Sequence, residues 1–509
     1  MIYLYCIIFN KLYIAFPVKI NSVKFLNLIA FVFTTIYLTV PLGMQGYSKI
    51  KNKVEIIMIM RPLENETKEM YKRFFRLAAI IVFQNMITFS VNVADNIMLG
   101  SYDQTALAAA ASVNQIQFLF QQVSLGLGEG LVTLSAQYWG KKNLRPIYLL
   151  TKIAVIIGLS VSILLTVLTS LFPVPVLKIF TTDPAIISSG CQYLEIMRFT
   201  YIPFIITYLL LAALRSMEKV KIGFYISCIS LAVNIAMNYV FIFGKLGAPS
   251  LGVTGAAIGT LTARFVELLL IIIYIKSKFP DLFCMPSYKI KKALLVTYIN
   301  SSVPIVVTQT LFGLSVGLQT AILGHLSSDA IAANSAATTI FQYLKLIAIG
   351  FSSATVVMIG KTVGSGKTEK INQYKRSLQW IYLIVGLTIC LLLNLIKTPL
   401  ISLYSLTPAA KHLTYQIITL LSITAIGTSY QMPVNTGIIR GSGDTSFALK
   451  LDMVSIWVIM YPLSLLAAFV WKLPVIAVAA CLNSDQVFKC LPAFIKVNKF
   501  LRINALNKE

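Results

Sequence analysis

From residue 74 to residue 495 the chain is a near-continuous succession of apolar runs: roughly 74–100, 106–136, 147–172, 186–213, 222–244, 251–275, 293–323, 330–360, 378–396, 412–438, 453–471 and 473–495. Crossing the hydrocarbon core takes about 20 apolar residues in a helix. A backbone inside lipid must also satisfy its own hydrogen bonds, which leaves helices as the form for runs of this length. The expected fold is an all-α polytopic membrane protein with twelve transmembrane helices, the last run being the weakest. Composition agrees, since 57% of residues are hydrophobic and 12% charged, too apolar for a water-soluble enzyme.

The chain carries a net charge of +25, which in a soluble protein would point to nucleic acid. Its distribution points elsewhere. Alternate connections hold 28 Lys and Arg residues, among them Lys141, Lys142 and Arg145, then Arg215 and Lys219, then Lys361 to Arg376, and Arg440. The connections between them hold only Lys178, Lys245, Lys397, Lys411 and Lys472. By the positive-inside rule both ends of the twelve-span unit are cytoplasmic in a multi-pass cell-membrane protein, and no nucleic-acid partner is expected. Seven cysteines with no C-x-x-C pair and only two histidines give no basis for a disulfide framework, a metal site or a cofactor. The run Gly360 to Thr368 imitates a phosphate loop, but Lys361 stands where the first glycine is needed and no strand precedes it. Asn65-Glu66-Thr67 and Asn300-Ser301-Ser302 are glycosylation triplets by spelling only.

Residues 1–60 sit outside this ladder, because the further apolar run Phe25 to Leu42 would place the N-terminus on the other side. The preferred expectation is an over-extended start, with initiation near Met58 or Met60; a thirteenth span is the alternative. The expected division is then a first lobe over 70–276, a connecting loop over 277–292, a second lobe over 293–495 and a tail over 496–509.

The chain repeats itself at an offset of about 224. Leu99-Gly100 falls on Leu323-Gly324, Ala106 to Ala109 on Ala330 to Ala333, Gly126 on Gly350 and Gly140 on Gly364. One residue later, Leu214-Arg215 falls on Ile439-Arg440. Six spans per copy, an even number, leave the two copies in the same orientation. They form two six-helix lobes related by a pseudo-twofold axis along the membrane normal, with a substrate path between them.

Ionisable residues inside spans are costly and mark function by default. They are Asp95, Glu129, Glu195, Arg198, Arg264, Glu267, Lys345 and Asp485. Glu195/Arg198 and Arg264/Glu267 are spaced to pair on their own helices, and Asp485 has Lys489 one turn on; these read as structural. Asp95 has no basic residue within a turn, and its repeat mate is Gln319. It shares a depth in the outer half of the first lobe with Asn234 and Asn238, on one face of span five, and with Thr260 on span six. One carboxylate, two amides and a hydroxyl suit a small cation, or form a wet cavity in which the acid takes up a proton. Alternatively the asparagines only bridge helices. Glu129, whose mate is Ser353, and Lys345, about 22 Å into its span at 1.5 Å per residue, are secondary candidates that could pair across the cleft.

The segments VNVADNIMLG (Val91 to Gly100), AQYWGKKN (Ala136 to Asn143), LRSMEK (Leu214 to Lys219), NIAMNYVFIFG (Asn234 to Gly244), GVTGAAIGT (Gly252 to Thr260) and IIRGSGDT (Ile438 to Thr445) together resemble multidrug and toxic compound extrusion (MATE) transporters of the MOP superfamily. The resemblance covers about residues 70 to 495. It implies an antiporter that expels organic cations and drugs in exchange for protons or sodium by alternating access. It also implies a coupling site at Asp95, Asn234, Asn238 and Thr260, where Asn238 replaces the second acid that several members carry. One carboxylate in place of two favours H+ over Na+. Acids used by some members in the second lobe are absent, Gln309 being the nearest polar residue in span seven. The early proline of span one is replaced by Ala79-Ile80, while Pro304 remains in span seven.

Amphipathic substrates are expected to meet aromatic and Met/Gln side chains such as Gln121 and Phe312, and the protein is expected to work as a monomer in the lipid bilayer. Two rivals remain: a lipid-linked precursor flippase of the same superfamily, whose cavity would be lined with several cations, and an ion channel or non-transporting receptor. No nucleophile and base pair within the spans supports an intramembrane enzyme.

Overall fold

Twelve helical segments follow one another where the apolar runs lie. A computed structural model describes residues 65–283, 289–402, 404 and 406–503; the expected start-site extension over 1–60 lies outside them. In chain order the segments are α1 (Glu69–Tyr102), α2 (Gln104–Gly140), α3 (Leu144–Leu171), α4 (Pro184–Ser216), α5 (Lys221–Phe243), α6 (Val253–Lys278), α7 (Lys292–Gly324), α8 (Ser328–Gly364), α9 (Thr368–Ile401), α10 (Pro408–Ile439) and α11 (Thr445–Val470). The twelfth, α12, is made of three pieces, Val475–Leu482, Asp485–Phe488 and Cys490–Lys499.

Ten of these helices are long and apolar enough to cross a bilayer by themselves. The exceptions are α2, which carries Asn114, Gln115, Gln117, Gln121 and Gln122, and the interrupted α12. From Gly130 to Tyr138 every residue of α2 is buried or nearly so, whichever way it points, and the same holds for Gly350 to Gly360 of α8. A helix covered all round lies inside a bundle and meets protein rather than lipid. Helices α1, α3, α5, α7 and α9 are less enclosed and show large apolar side chains such as Phe83, Leu164, Tyr225, Val303 and Leu391 at the surface.

Several helices begin before their apolar runs, α1 at Glu69 and α10 at Pro408 among them, and two show why. Helix α9 begins at Thr368, not near 378, and α11 at Thr445, not near 453. In both, the polar opening turns continue the helix past its apolar part on the side of the basic loops. Pro433 opens a widened π-helical stretch at the end of α10, and Pro462 lies between two such stretches in α11. The missing amide of proline frees the ladder to take this wider turn. Asn300 and Ser302 are inside α7, so that triplet is helix, and Gly360 to Gly364 closes α8, so no phosphate loop forms there.

Close contacts between the lobes obey the repeat. A Cβ on Gly126 of α2 would lie 2.5 Å from the Cα of Val306 on α7, and a Cβ on its mate Gly350 would lie 3.2 Å from the Cα of Val82 on α1. Val82 and Val306 are themselves repeat mates. At the basic side, a Cβ on Gly140 would come within 2.1 Å of the Lys361 carbonyl oxygen, and one on Gly364 within 1.8 Å of the Gln137 carbonyl oxygen. Gln137 and Lys361 are mates as well. Each contact thus occurs twice under one operation, as a pseudo-twofold between two six-helix lobes requires. The ends of α2 and α8 cross backbone to backbone on the basic side, and only glycine permits the approach.

Candidate functional site: a buried carboxylate cluster in the first lobe

Asp95 on α1, Asn234 and Asn238 on α5 and Thr260 on α6 converge in the half of the first lobe away from the basic loops. The i,i+4 spacing sets the two asparagines on one face. Asn238 Nδ2 donates to Asp95 Oδ1 at 2.5 Å and to Asn234 Oδ1 at 3.3 Å, and Asn234 Nδ2 donates to Thr260 Oγ1 at 3.4 Å. Both asparagines are fully buried and Asp95 is 7% exposed. Helix α6 offers bare backbone to this face: a Cβ on Gly259 would sit 2.2 Å from Asn238 Oδ1. All four residues singled out in the sequence therefore form one hydrogen-bonded chain.

That chain is short of donors. Asn238 Oδ1 is buried and meets no hydrogen-bond donor among the described residues, and a buried polar atom left unmet costs free energy. A carboxylate this deep carries a desolvation cost that two amides and a hydroxyl offset only in part. A proton on Asp95, or a small cation held among these oxygens, answers both deficits.

Nearer the basic loops, two ion pairs stand on the wall of a cavity of about 180 Å³ lined by Gln84, Glu129, Arg215, Arg264, Glu267 and Ser353. Arg215 Nη2 reaches Glu129 Oε1 at 2.8 Å, and Arg264 Nη1 reaches Glu267 Oε2 at 2.6 Å, with the Arg264 guanidinium 5.2 Å from the Phe204 ring. The second pair forms as its spacing suggested. The first was hidden, because Arg215 reads as a loop cation in the sequence but occupies the last turn of α4 and turns inward. Glu195 and Arg198 form no ion pair among the described residues; Arg198 lies over the ring of Phe199 at 5.2 Å.

The remaining candidates do not join the Asp95 cluster. Lys345 on α8 places its ammonium 5.1 Å from the Phe312 ring of α7. Gln121 on α2 and Gln309 on α7 are half-buried and make no hydrogen bond to the four clustered residues. In the second lobe Lys489 bridges Asp485 at 3.0 Å and Asp452 at 2.9 Å, and Arg440 approaches Asp452 at 3.7 Å. Arg440, a connection cation by its place in the sequence, caps the end of α10, and Asp452 lies in the part of α11 that precedes its apolar run.

Residues 81–240 and 304–466, one block in each lobe and together more than half of the chain, match the MatE family. The chain belongs to the MATE family. MATE proteins are transporters, and this chain is a transporter, not an enzyme. Among curated relatives it is 24% identical over 380 residues to the probable multidrug resistance protein YoeA of Bacillus subtilis, covering 73% of this chain and 81% of YoeA. It is 23% identical over 430 residues to the probable multidrug resistance protein NorM of Thermotoga maritima, covering 84% and 92%. Among solved structures, a mutant of the Vibrio cholerae MATE transporter VcmN superposes with a TM-score of 0.78 at 18% identity, covering 86% of this chain and 98% of that one. A MOP superfamily transporter from Pyrococcus furiosus superposes with a TM-score of 0.74 at 17% identity, covering 86% and 97%. These likenesses establish the two-lobed, twelve-helix MATE fold.

Proposed function

We propose that this MATE protein exports amphipathic organic cations across the cell membrane in exchange for protons, with Asp95 as the group that loads the ion. The observation that carries the reading is the Asp95 carboxylate, buried and held by Asn238 beside an amide oxygen that lacks a donor. Loading a proton neutralises the acid and adds one donor where one is missing. The hydrogen bonds linking α1, α5 and α6 then rearrange, and the first lobe gains two arrangements that differ by one proton. A substrate leaving from one arrangement and a proton leaving from the other gives antiport. The names of the relatives, multidrug resistance proteins, support the substrate class.

The proton is preferred to sodium because the cluster offers one carboxylate, with Asn238 where a second acid would add charge. The basic loops lie on the cytoplasmic side by the positive-inside rule, so Asp95 faces the outer half of the membrane. The flippase reading is not favoured. Of the three cations lining the cavity, Arg215 and Arg264 are each neutralised by a glutamate, which leaves the exposed Lys219 in place of the several cations that a cradle for a lipid phosphate would need.

The test is uptake of a fluorescent organic cation into proteoliposomes under an imposed pH gradient and, separately, a sodium gradient. Wild type is expected to respond to the pH gradient, and Asp95→Asn to neither. Transport by wild type that ignores both gradients would reject coupling altogether.

A further inference from the structure

We propose that Glu218 is a positioning residue for the transport cycle: with Lys361 and Arg73 it forms a one-sided latch that holds the basic ends of the two lobes together in the conformer described here. The proposal rests on the alternating-access reading above, because a latch has meaning only if the two lobes part on this side in another state.

Glu218 sits in the turn between α4 and α5, on the first lobe. Its two carboxylate oxygens receive the Nζ of Lys361 at 3.1 and 3.0 Å, and Lys361 is in the last turn of α8, on the second lobe. Arg73, near the start of α1, adds its Nη2 at 3.0 Å from the same carboxylate. The Glu218 side chain is 12% exposed, against 59% for Arg73, so the acid is the covered centre of the triad. The bridge lies beside the crossing of α2 and α8, where Gly140 faces the backbone of Lys361 itself. Separating the lobes on this side must break it.

The repeat shows that this glutamate is not required by the turn. Glu218 N donates to the Arg215 carbonyl and Lys219 N to that of Leu214; the mates, Gly443 and Asp444, donate in the same way to Arg440 and Ile439. The two turns are one cap built twice. Its left-handed residue is Gly443 in the second lobe, at φ +92°, and Glu218 in the first, at φ +62°. That conformation suits glycine and strains a residue with a Cβ. The first lobe therefore keeps a strained glutamate where its own repeat shows glycine to suffice. Lys142 replaces the mate glycine Gly366 in a similar cap, but Lys142 is exposed, whereas Glu218 is covered and charge-paired across the lobes. The charge pairing of the bridge is also not repeated by symmetry. The mates of Glu218 and Lys361 are Gly443 and Gln137, neither of them charged, so the latch exists on one side of the twofold only.

The test is the distance between the lobes, read by double electron-electron resonance from spin labels on Lys221→Cys and Ser365→Cys, both exposed positions flanking the latch. These are placed in a background without native cysteines, with no substrate and no gradient. The parent is expected to show mainly a short distance. Glu218→Gly and Lys361→Gln are each expected to raise the ratio of long to short populations about tenfold, and the exchanged pair Glu218→Lys with Lys361→Glu to restore the short one. Glu218→Gly is also expected to melt no lower than the parent, because glycine fits the turn. Unchanged distances in both single variants overturn the proposal. So does a lower melting temperature in Glu218→Gly, which would make the glutamate a part of the fold. Because no ion or substrate enters the measurement, failure of proton coupling at Asp95 leaves this result standing, and the reverse holds too.

Discussion

The two lobes are copies in their packing and strangers in their chemistry. In the first lobe, Asp95 of α1 meets Asn238 of α5 in a buried polar chain. In the second, the mate of Asp95 is Gln319 of α7, whose amide among the described residues reaches only the Met460 sulfur of α11, at 3.9 Å. Beside it α7 and α11 enclose an apolar groove of about 430 Å³ lined by Ile322, His325, Trp457, Tyr461 and Phe469. Yet the glycine contacts Gly126 with Val306 and Gly350 with Val82 repeat faithfully. Close packing tolerates little change in volume, so it is held in both copies. A buried carboxylate with no ion-pair partner is costly, and at this repeat position it is kept in one copy, whereas the buried Asp485 of the second lobe is paired with Lys489.

If that contrast is right, the largest effect belongs to Asp95→Asn, which is expected to abolish gradient-driven export and flatten its pH dependence, while Gln319→Ala leaves both near wild type. Proteoliposome transport across a pH series checks the pair. Next comes packing, where the lobes should respond alike. Gly140→Ala and Gly364→Ala each drive a Cβ into the facing backbone, and each is expected to cost about 1–3 kcal/mol of stability, read as similar falls in melting temperature. Unequal losses would break the packing half of the comparison.

Glu129→Gln leaves Arg215 buried and unpaired, with an expected cost of about 3 kcal/mol; thermal unfolding of Glu129→Gln beside the double variant Glu129→Gln, Arg215→Met tells a lost pair from a lost side chain. Asn238→Asp returns a second acid to the cluster and is expected to move the ion preference towards sodium, seen as export that a sodium gradient now supports. The smallest effect is expected from Met460→Leu, a change of similar volume in the second lobe, with export altered by less than about twofold.

Much of this contrast could be read from residues alone. The offset of 224 paired Gly126 with Gly350 and Gly140 with Gly364, but not the partners they press against, because Val306 and Lys361 are set by how helices cross. Asp95, Asn234, Asn238 and Thr260 were visible as polar residues at matched depth in otherwise apolar helices, and the fold needed only to bring the helices together. Arg215, Asp452, Glu218 and Lys361 were not visible as partners. Each lies at a helix end on the basic side, where charge is expected for topological reasons, and Glu218 and Lys361 belong to different lobes. Positive-inside patterning masks functional ion pairs at the loops, just as apolar surroundings reveal an acid within a span.

The most direct measurement is proton release on substrate binding in detergent, followed with a pH-sensitive dye in weakly buffered solution for wild type, Asp95→Asn and Gln319→Ala. Wild type and Gln319→Ala are expected to release protons to the same extent and Asp95→Asn to release none. Undiminished release from Asp95→Asn would contradict the assignment of ion loading to the first lobe.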